Sequence, residues 1–140
     1  MSEISLRPAT LGDVEAVIAL WSVAGENAAR PSDSATDVER LLARDPTSLV
    51  VATDGDELVA SVIVGWDGWR CHLYRLAVHP GHRRRGLGRL LLDHAEQRFA
   101  DAGGKRADAM VLDENELGRS LWEAAGYTRQ DEWSRWVKTL

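Results

Sequence analysis

The sequence is poor in the residues that build disulfide-bonded or metal-dependent folds. Its 140 residues include one cysteine, Cys71, which excludes an internal disulfide and a cysteine cluster for zinc. The four histidines have no spacing typical of a metal site, so we expect no metal. No apolar run approaches the roughly 20 residues of a membrane-spanning helix. Residues 1–8 lack the basic and apolar regions of a signal peptide. These absences predict a cytoplasmic protein that has no membrane partner.

Basic residues are fewer than acidic ones. The chain carries 17 Lys and Arg residues against 22 Asp and Glu residues, a formal net charge of −5, which argues against nucleic acid as a partner. Hydrophobic residues make up 44% of the sequence and charged residues 28%, as in ordinary globular domains. The length predicts a single domain, residues 1–140, with a sizeable core.

A basic loop that carries glycines, residues 83–88 with the sequence RRRGLG, lies between a predicted strand and a predicted helix. Glycine adopts positive φ without steric cost and lets a ligand approach the backbone. A loop at a helix start directs unpaired N–H groups and the positive end of the helix dipole at one point. This arrangement suits phosphate groups, so the loop predicts a phosphate-bearing ligand.

Hydrophobic spacing predicts the element order β-α-α-β-β-β-α-β-α-β. Hairpin turns predict antiparallel pairing in the first half, and the β-α-β passage predicts a right-handed parallel crossover. The fold class is therefore α/β (α+β), a mixed sheet with helices on both faces. The predicted strands are Ser5–Pro8, Leu49–Thr53, Leu58–Gly65, Cys71–Val78, Ala107–Leu112 and one or two more within Tyr127–Lys138.

Two motifs carry a resemblance to a known family. L-A-V-H-P at residues 76–80 is followed by R-x-x-G-x-G at residues 83–88. A second stretch, residues 115–127, reads N-x-x-G-x-x-x-W-x-x-x-G-Y. Over nearly its whole length the sequence resembles the GNAT superfamily of acyl-CoA-dependent N-acetyltransferases, which usually reads N-x-x-A-x-x-x-Y-x-x-x-G-F at the second motif. The G-W-D-G hairpin at residues 65–68 is similar to that of a poorly characterised bacterial subgroup.

The resemblance implies a mostly antiparallel GNAT-like sheet and acetyl-CoA as co-substrate. The backbone of residues 84–89 would hold the pyrophosphate. Backbone groups of Leu76 and Val78 would pair with the pantetheine arm and the thioester carbonyl, in a gap between strands 71–78 and 107–112. The implied cofactor-binding residues are Leu76, Ala77, Val78, Arg83, Arg84, Arg85, Gly86, Leu87, Gly88, Arg89, Asn115 and Trp122.

The expected reaction is direct attack of a primary amine on the thioester in a ternary complex. A backbone N–H near Val78 is the expected oxyanion donor. Some family members place a glutamate base at the position of His72, so His72 is a possible base; the alternative is an ordinary polar strand residue. By strand alternation His72, Tyr74, Leu76 and Val78 should share one face of the sheet, and Cys71 should be buried on the other.

Trp122 stands where the family places its acidic tyrosine, and an indole cannot transfer a proton at neutral pH. The thiolate then leaves unassisted or through water, another group replaces the tyrosine, or catalysis is weak. Tyr127 is expected to pack in the core instead. One rival is a catalytically weak or silent acyl-CoA-binding module, and another is a nucleic-acid or phosphoprotein binder that uses the arginine loop.

The acceptor is expected to be a small-molecule or peptide amine, and the protein a monomer or homodimer. Candidate acceptor acids are Glu26, Asp33 and Asp37, with solvated loop acids as the alternative. Trp21, Trp66 and Trp69 either border an acceptor or dimer surface or pack inward. Trp133 and Trp136 have opposite parity, so one should face inward and the other outward.

Overall fold

The computed structural model describes residues 3–25, 27 and 30–140. Two short 3-10 turns, Leu11–Asp13 and Pro80–His82, precede α1 and α3. None of the described helices combines the length and the apolar character that a bilayer crossing requires. The described elements are β1 (Ile4–Pro8), α1 (Val14–Ala24), α2 (Ala35–Arg44), β2 (Leu49–Asp54), β3 (Glu57–Trp66), β4 (Cys71–Val78), α3 (Leu87–Ala102), β5 (Ala107–Ala109) and α4 (Glu116–Ala124).

The strands form one sheet in the order β1-β2-β3-β4-β5. All neighbours are antiparallel except β4 and β5, which pair in parallel from Cys71–Ala107 to Leu73–Ala109. Apolar side chains of α1 and α2 form a core against one face, and those of α3 pack against the other. The predicted fold class, a mixed sheet with helices on both faces, is confirmed.

A β-bulge interrupts β4. Ile63 of β3 lies opposite Tyr74, but Ser61 lies opposite Ala77, so β4 contains one extra residue. Arg75 provides it with a φ of 51°, in the left-handed region that non-glycine residues rarely adopt. The bulge breaks the two-residue alternation of side chains along the strand.

The predicted common face of His72, Tyr74, Leu76 and Val78 is therefore wrong. Leu76 and Val78 pack on the α3 side together with the buried residues that precede the bulge, Cys71 and Leu73. His72 and Tyr74 alternate with Cys71 and Leu73 and so face the other side. The expectation of a buried Cys71 opposite His72 is confirmed.

The strands predicted within Tyr127–Lys138 are also absent, since residues 127–140 are all described and form no strand. Trp133 and Trp136 are 74% and 93% exposed, so the expectation that one of them faces inward is wrong. A strand needs a neighbour that pairs with its backbone. The edge strand β5 ends at Ala109 instead of Leu112 and offers only three residues for pairing.

Candidate active site

The amino end of α3 differs from the starts of the other described helices. Acidic residues occupy the first turns of α1, α2 and α4, and Ser34 and Asn115 cap α2 and α4 through their side chains. The first turn of α3 contains no acid, and its N-cap residue is Gly86, which has no side chain to cap it. The unpaired N–H groups and the positive dipole end of α3 therefore remain available to an anion.

Backbone conformation in the basic loop is unusual at two residues. Arg84 has a φ of 65°, in the left-handed region that is strained for a non-glycine residue, and Gly86 has a φ of 75°, which glycine adopts without strain. A Cβ added at Gly86 would meet nothing within 4 Å, so open space adjoins the helix start. Conformational strain that persists in a loop is typical of ligand-binding segments.

The arginines of this loop divide into two groups. Arg85 pairs with Asp54 at 3.0 Å, and Arg89 pairs with Asp93 at 3.1 Å and bonds to the Ala124 carbonyl. Arg83 and Arg84 are exposed and make no ion pair with a described residue. These two arginines supply the loop's uncompensated positive charge.

The carboxyl-terminal half of β4 has an open edge. The β4–β5 pairing covers only residues 71–73 of β4. His79 donates its backbone N–H to the Val59 carbonyl at 2.8 Å. This bond shows which residues at the end of β4 direct their backbone groups at β3. By alternation Ala77 also directs its backbone groups at β3, whereas Leu76 and Val78 direct theirs at the side where β5 has ended. The backbone groups singled out from the sequence thus border a gap between strands.

Gly88 and Asn115 have packing roles that the sequence does not reveal. A Cβ on Gly88 would lie 2.7 Å from a methyl group of Leu121, so Gly88 lets α4 approach α3. The Asn115 side chain accepts the Gly118 N–H at 2.9 Å and caps α4. A Cβ on Gly118 would clash with the Asn115 side chain in this cap conformation.

His72 lies at the other end of β4, in the part that pairs with β5. Its Nδ1 lies 2.6 Å from Oδ1 of Asp108 on β5, and both side chains are partly exposed. The Tyr74 ring lies 6.0 Å away on the same face. Asp108 is absent from the sequence-based candidates because its proximity depends on the parallel register, which places it opposite His72.

Trp122 and Tyr127 pack together against the α3-side core. Their rings meet edge to face with centroids 4.9 Å apart. The Tyr127 hydroxyl donates to Glu96 of α3 at 2.8 Å. Burial and the Glu96 carboxylate raise the pKa of Tyr127 well above its ordinary value. Tyr127 is therefore a packing residue and a poor proton donor.

A cleft of about 310 Å³ lies on the opposite face, beside the bulge. Arg75 is buried there against the Trp21 ring and bonds to Asn27 and Asp33. Trp21 is buried as well and donates to Ser61 at 2.8 Å. Asp33, one of the acids expected to attract the acceptor amine, is thus already paired with Arg75.

The other expected acceptor acids bring no free carboxylate to this cleft. Asp37 pairs with Arg40 at 2.8 Å on the exposed side of α2. Glu26 lies outside the described residues. Among the described residues, no three His, Cys, Asp or Glu side chains are grouped so that they could hold a metal ion.

Comparisons with known proteins identify the family. The family model of the GNAT acetyltransferases matches residues 14–127. An acetyltransferase of Sodalis glossinidius is 36% identical over 120 residues, which are 85% of this chain and 83% of that protein. The chain belongs to the GNAT family of acetyltransferases. A Pectobacterium atrosepticum acetyltransferase is also 36% identical, over 85% of this chain and 84% of that protein.

Solved GNAT structures share the fold at low sequence identity. Ard1 from Thermoplasma volcanium matches with a TM-score of 0.78 at 17% identity, over 89% of this chain and 82% of that one. The protein yncA from Salmonella typhimurium, solved with its cofactor acetyl-CoA, matches with a TM-score of 0.73 at 20% identity, over 89% of this chain and 79% of that one. The family match and the relatives of 36% identity make this GNAT chain an acetyltransferase, and the solved structures support its fold.

Proposed function

We propose that this GNAT protein transfers an acetyl group from acetyl-CoA to a primary amine by direct attack in a ternary complex. The observation that carries the proposal is the uncapped, acid-free start of α3 next to the open edge of β4. The first feature suits a pyrophosphate, and the second suits an extended amide-bearing arm that pairs like a strand. Acetyl-CoA has both.

The donor would be held mainly by backbone atoms. Residues 84–89 would offer N–H groups to the pyrophosphate, and the exposed Arg83 and Arg84 would add charge. The pantetheine arm would lie along Leu76 and Val78, whose backbone groups have no β5 partner. Ala77 would help only through packing, because its side chain lies in the core on the α1 side.

The reaction forms a bond between the amine nitrogen and the acetyl carbon and breaks the carbon–sulfur bond. The Val78 N–H, directed into the gap, would donate to the oxyanion that forms between these events. The nitrogen loses a proton, and the CoA sulfur leaves as thiolate. Acetyl-CoA supplies the activated acyl group, and the protein supplies position, a donor and a proton acceptor.

His72 is the proposed proton acceptor. With its Nδ1–H donated to Asp108, a neutral imidazole keeps a lone pair on Nε2. His72 precedes Val78 by six residues, about 20 Å of extended strand. That distance exceeds the direct or one-water reach of a general base, so the proton would have to pass along a chain of several waters. Asp108 would act as a positioning residue that fixes the tautomer.

Departure of the thiolate would need no side-chain acid. Trp122 occupies the family's tyrosine position and donates only a hydrogen bond. The raised pKa of Tyr127 and its bond to Glu96 make it a poor proton donor near neutral pH. We therefore expect the thiolate to leave unassisted or to take its proton from water.

The decisive experiment measures release of free CoA thiol from acetyl-CoA in the presence of polyamines, aminoglycosides, amino acids and peptides. We expect amine-dependent release with at least one acceptor class and a mass gain of one acetyl group on that amine. Tight acetyl-CoA binding without release across the panel would contradict the proposal and favour the silent binding module that Trp122 suggests.

A further inference from the structure

A second concave site lies at the far end of α3 from the arginine loop. It is a cleft of about 520 Å³ between the β3–β4 turn and the turn that leads into β5. Since α3 has 16 residues, about 24 Å separates its ends, so this cleft is distinct from the proposed pyrophosphate site. Its volume falls within the roughly 300–1,000 Å³ of small-molecule sites.

Three cations line this cleft without a carboxylate partner. Arg70, Lys105 and Arg106 are exposed and form no ion pair with any described acid. The three positive charges repel one another, and an anion would relieve that repulsion. Eight other arginines reach a carboxylate, namely Arg7, Arg30, Arg40, Arg75, Arg85, Arg89, Arg98 and Arg129.

An exposed and oriented indole completes the cleft. Trp69 is 72% exposed, and the Arg70 guanidinium lies 4.8 Å from its ring centroid. The Asp67 carboxylate accepts the backbone N–H groups of Trp69 and Arg70, both at 2.7 Å, which fixes the turn. Trp66 is half-buried against the core and forms part of the wall. A flat ligand can stack on the free face of Trp69 without reorganising the turn.

We propose that this cleft binds a nucleoside phosphate. The base stacks on Trp69, and Lys105 and Arg106 hold the phosphate, with Arg70 contributing charge and fixing the indole. A simple anion would leave the exposed indole unused, and an uncharged aromatic ligand would leave the three cations unused. The cations surround one cleft instead of forming a stripe, which favours a single nucleotide over a nucleic-acid strand.

The test is isothermal titration of ATP into the full chain that holds one equivalent of CoA, because CoA itself contains an adenine nucleotide and an excess of CoA would compete for the cleft. We expect saturable binding that persists under CoA. The Lys105→Ala/Arg106→Ala variant should weaken ATP binding about tenfold or more, as expected for the loss of two charge-assisted contacts. Trp69→Ala should weaken ATP about tenfold through lost stacking, but should leave tripolyphosphate unaffected.

The matched control is Arg44→Ala/Lys138→Ala, which removes two exposed cations that also lack a described carboxylate partner. It should change ATP affinity less than twofold, and thermal melts should show that every variant folds. Equal weakening by the control, release of the bound CoA by ATP, or equal affinity for tripolyphosphate and ATP would overturn the proposal. Much tighter binding of a single-stranded oligonucleotide than of ATP would overturn it in favour of nucleic acid.

Discussion

The two ends of β4 present different kinds of atoms. At the carboxyl end, Leu76 and Val78 direct backbone groups at an open edge, and the chain then enters a loop that starts an uncapped helix. At the amino end, β3 and β5 flank residues 71–73. What remains available there is side chains, chiefly the His72–Asp108 pair and the Trp69–Arg70 stack.

One bulge separates these two chemistries. Arg75 is the extra residue of β4, and after it the side chains at alternate positions point to the opposite faces of the sheet. Its side chain also binds Asn27 and Asp33 in the loop that follows α1. The comparison indicates that the carboxyl end should respond to changes in backbone conformation, whereas the amino end should respond to changes in side-chain chemistry.

The largest effect should come from removing the residue between the two ends. Arg75→Ala removes a buried cation and leaves Asp33 with Arg30 as its remaining partner, so we expect a loss of about 3 kcal/mol of unfolding free energy, the lower end for a broken buried pair. The exposed pair broken by Arg40→Ala should cost less than about 1 kcal/mol. Urea denaturation measures both variants. Equal small losses would show that the bulge is not anchored by Arg75.

The amino end is tested by His72→Gln. If the imidazole is the proton acceptor, kcat should fall about 100-fold and the acidic limb of the pH–rate profile should disappear. Asp108→Asn should give a smaller fall, since His72 remains. His94→Gln, which changes an exposed histidine of α3, is the control and should leave the profile unchanged. A wild-type profile in His72→Gln would make His72 an ordinary strand residue.

The carboxyl end is tested by two glycines of the same helix. Gly86 and Gly103 flank α3 with φ values of 75° and 92°, and both adjoin open space. Valine at either site should cost a similar amount of stability, about 1–2 kcal/mol. Only Gly86→Val should raise the KM for acetyl-CoA, by about tenfold, because it blocks close approach to the backbone. Equal KM values for the two variants would count against the proposed phosphate site.

The smallest effect is expected for Tyr127→Phe. Burial and Glu96 raise the pKa of Tyr127, which makes its phenol a weaker acid than an ordinary tyrosine, and its hydroxyl already donates to Glu96. Its removal should therefore leave kcat and the basic limb of the pH–rate profile within about twofold of wild type. The lost hydrogen bond should lower stability by about 1 kcal/mol. A large fall in kcat would identify Tyr127 as the missing acid.

Much of the fold was accessible from local signals. The predicted bounds of β4 equal the observed Cys71–Val78, because a hairpin turn precedes the strand and a basic loop follows it. The caps are local as well, since Asp13 accepts the Thr10 N–H and Ser34 accepts the Asp37 N–H. Such signals act within a few residues and need no knowledge of the rest of the chain.

The wrong predictions concern features that depend on residues far apart in the sequence. No glycine marks the bulge, because Arg75 is held at positive φ by tertiary contacts with Trp21, Asn27 and Asp33. The strands expected after Tyr127 depended on a pairing edge that the short β5 does not supply. Asp108 became a partner of His72 only through the parallel register of two strands separated by α3.

The sequence by itself determined the basic loop, the helix that follows it and the family, because these depend on contiguous residues and fixed spacing. The tertiary structure alone decided which face of β4 each side chain takes, where the strand edge opens, and that Trp69, Lys105 and Arg106 share one cleft. The physical reason is that register and proximity follow from packing between segments distant in the chain, which local propensity does not encode.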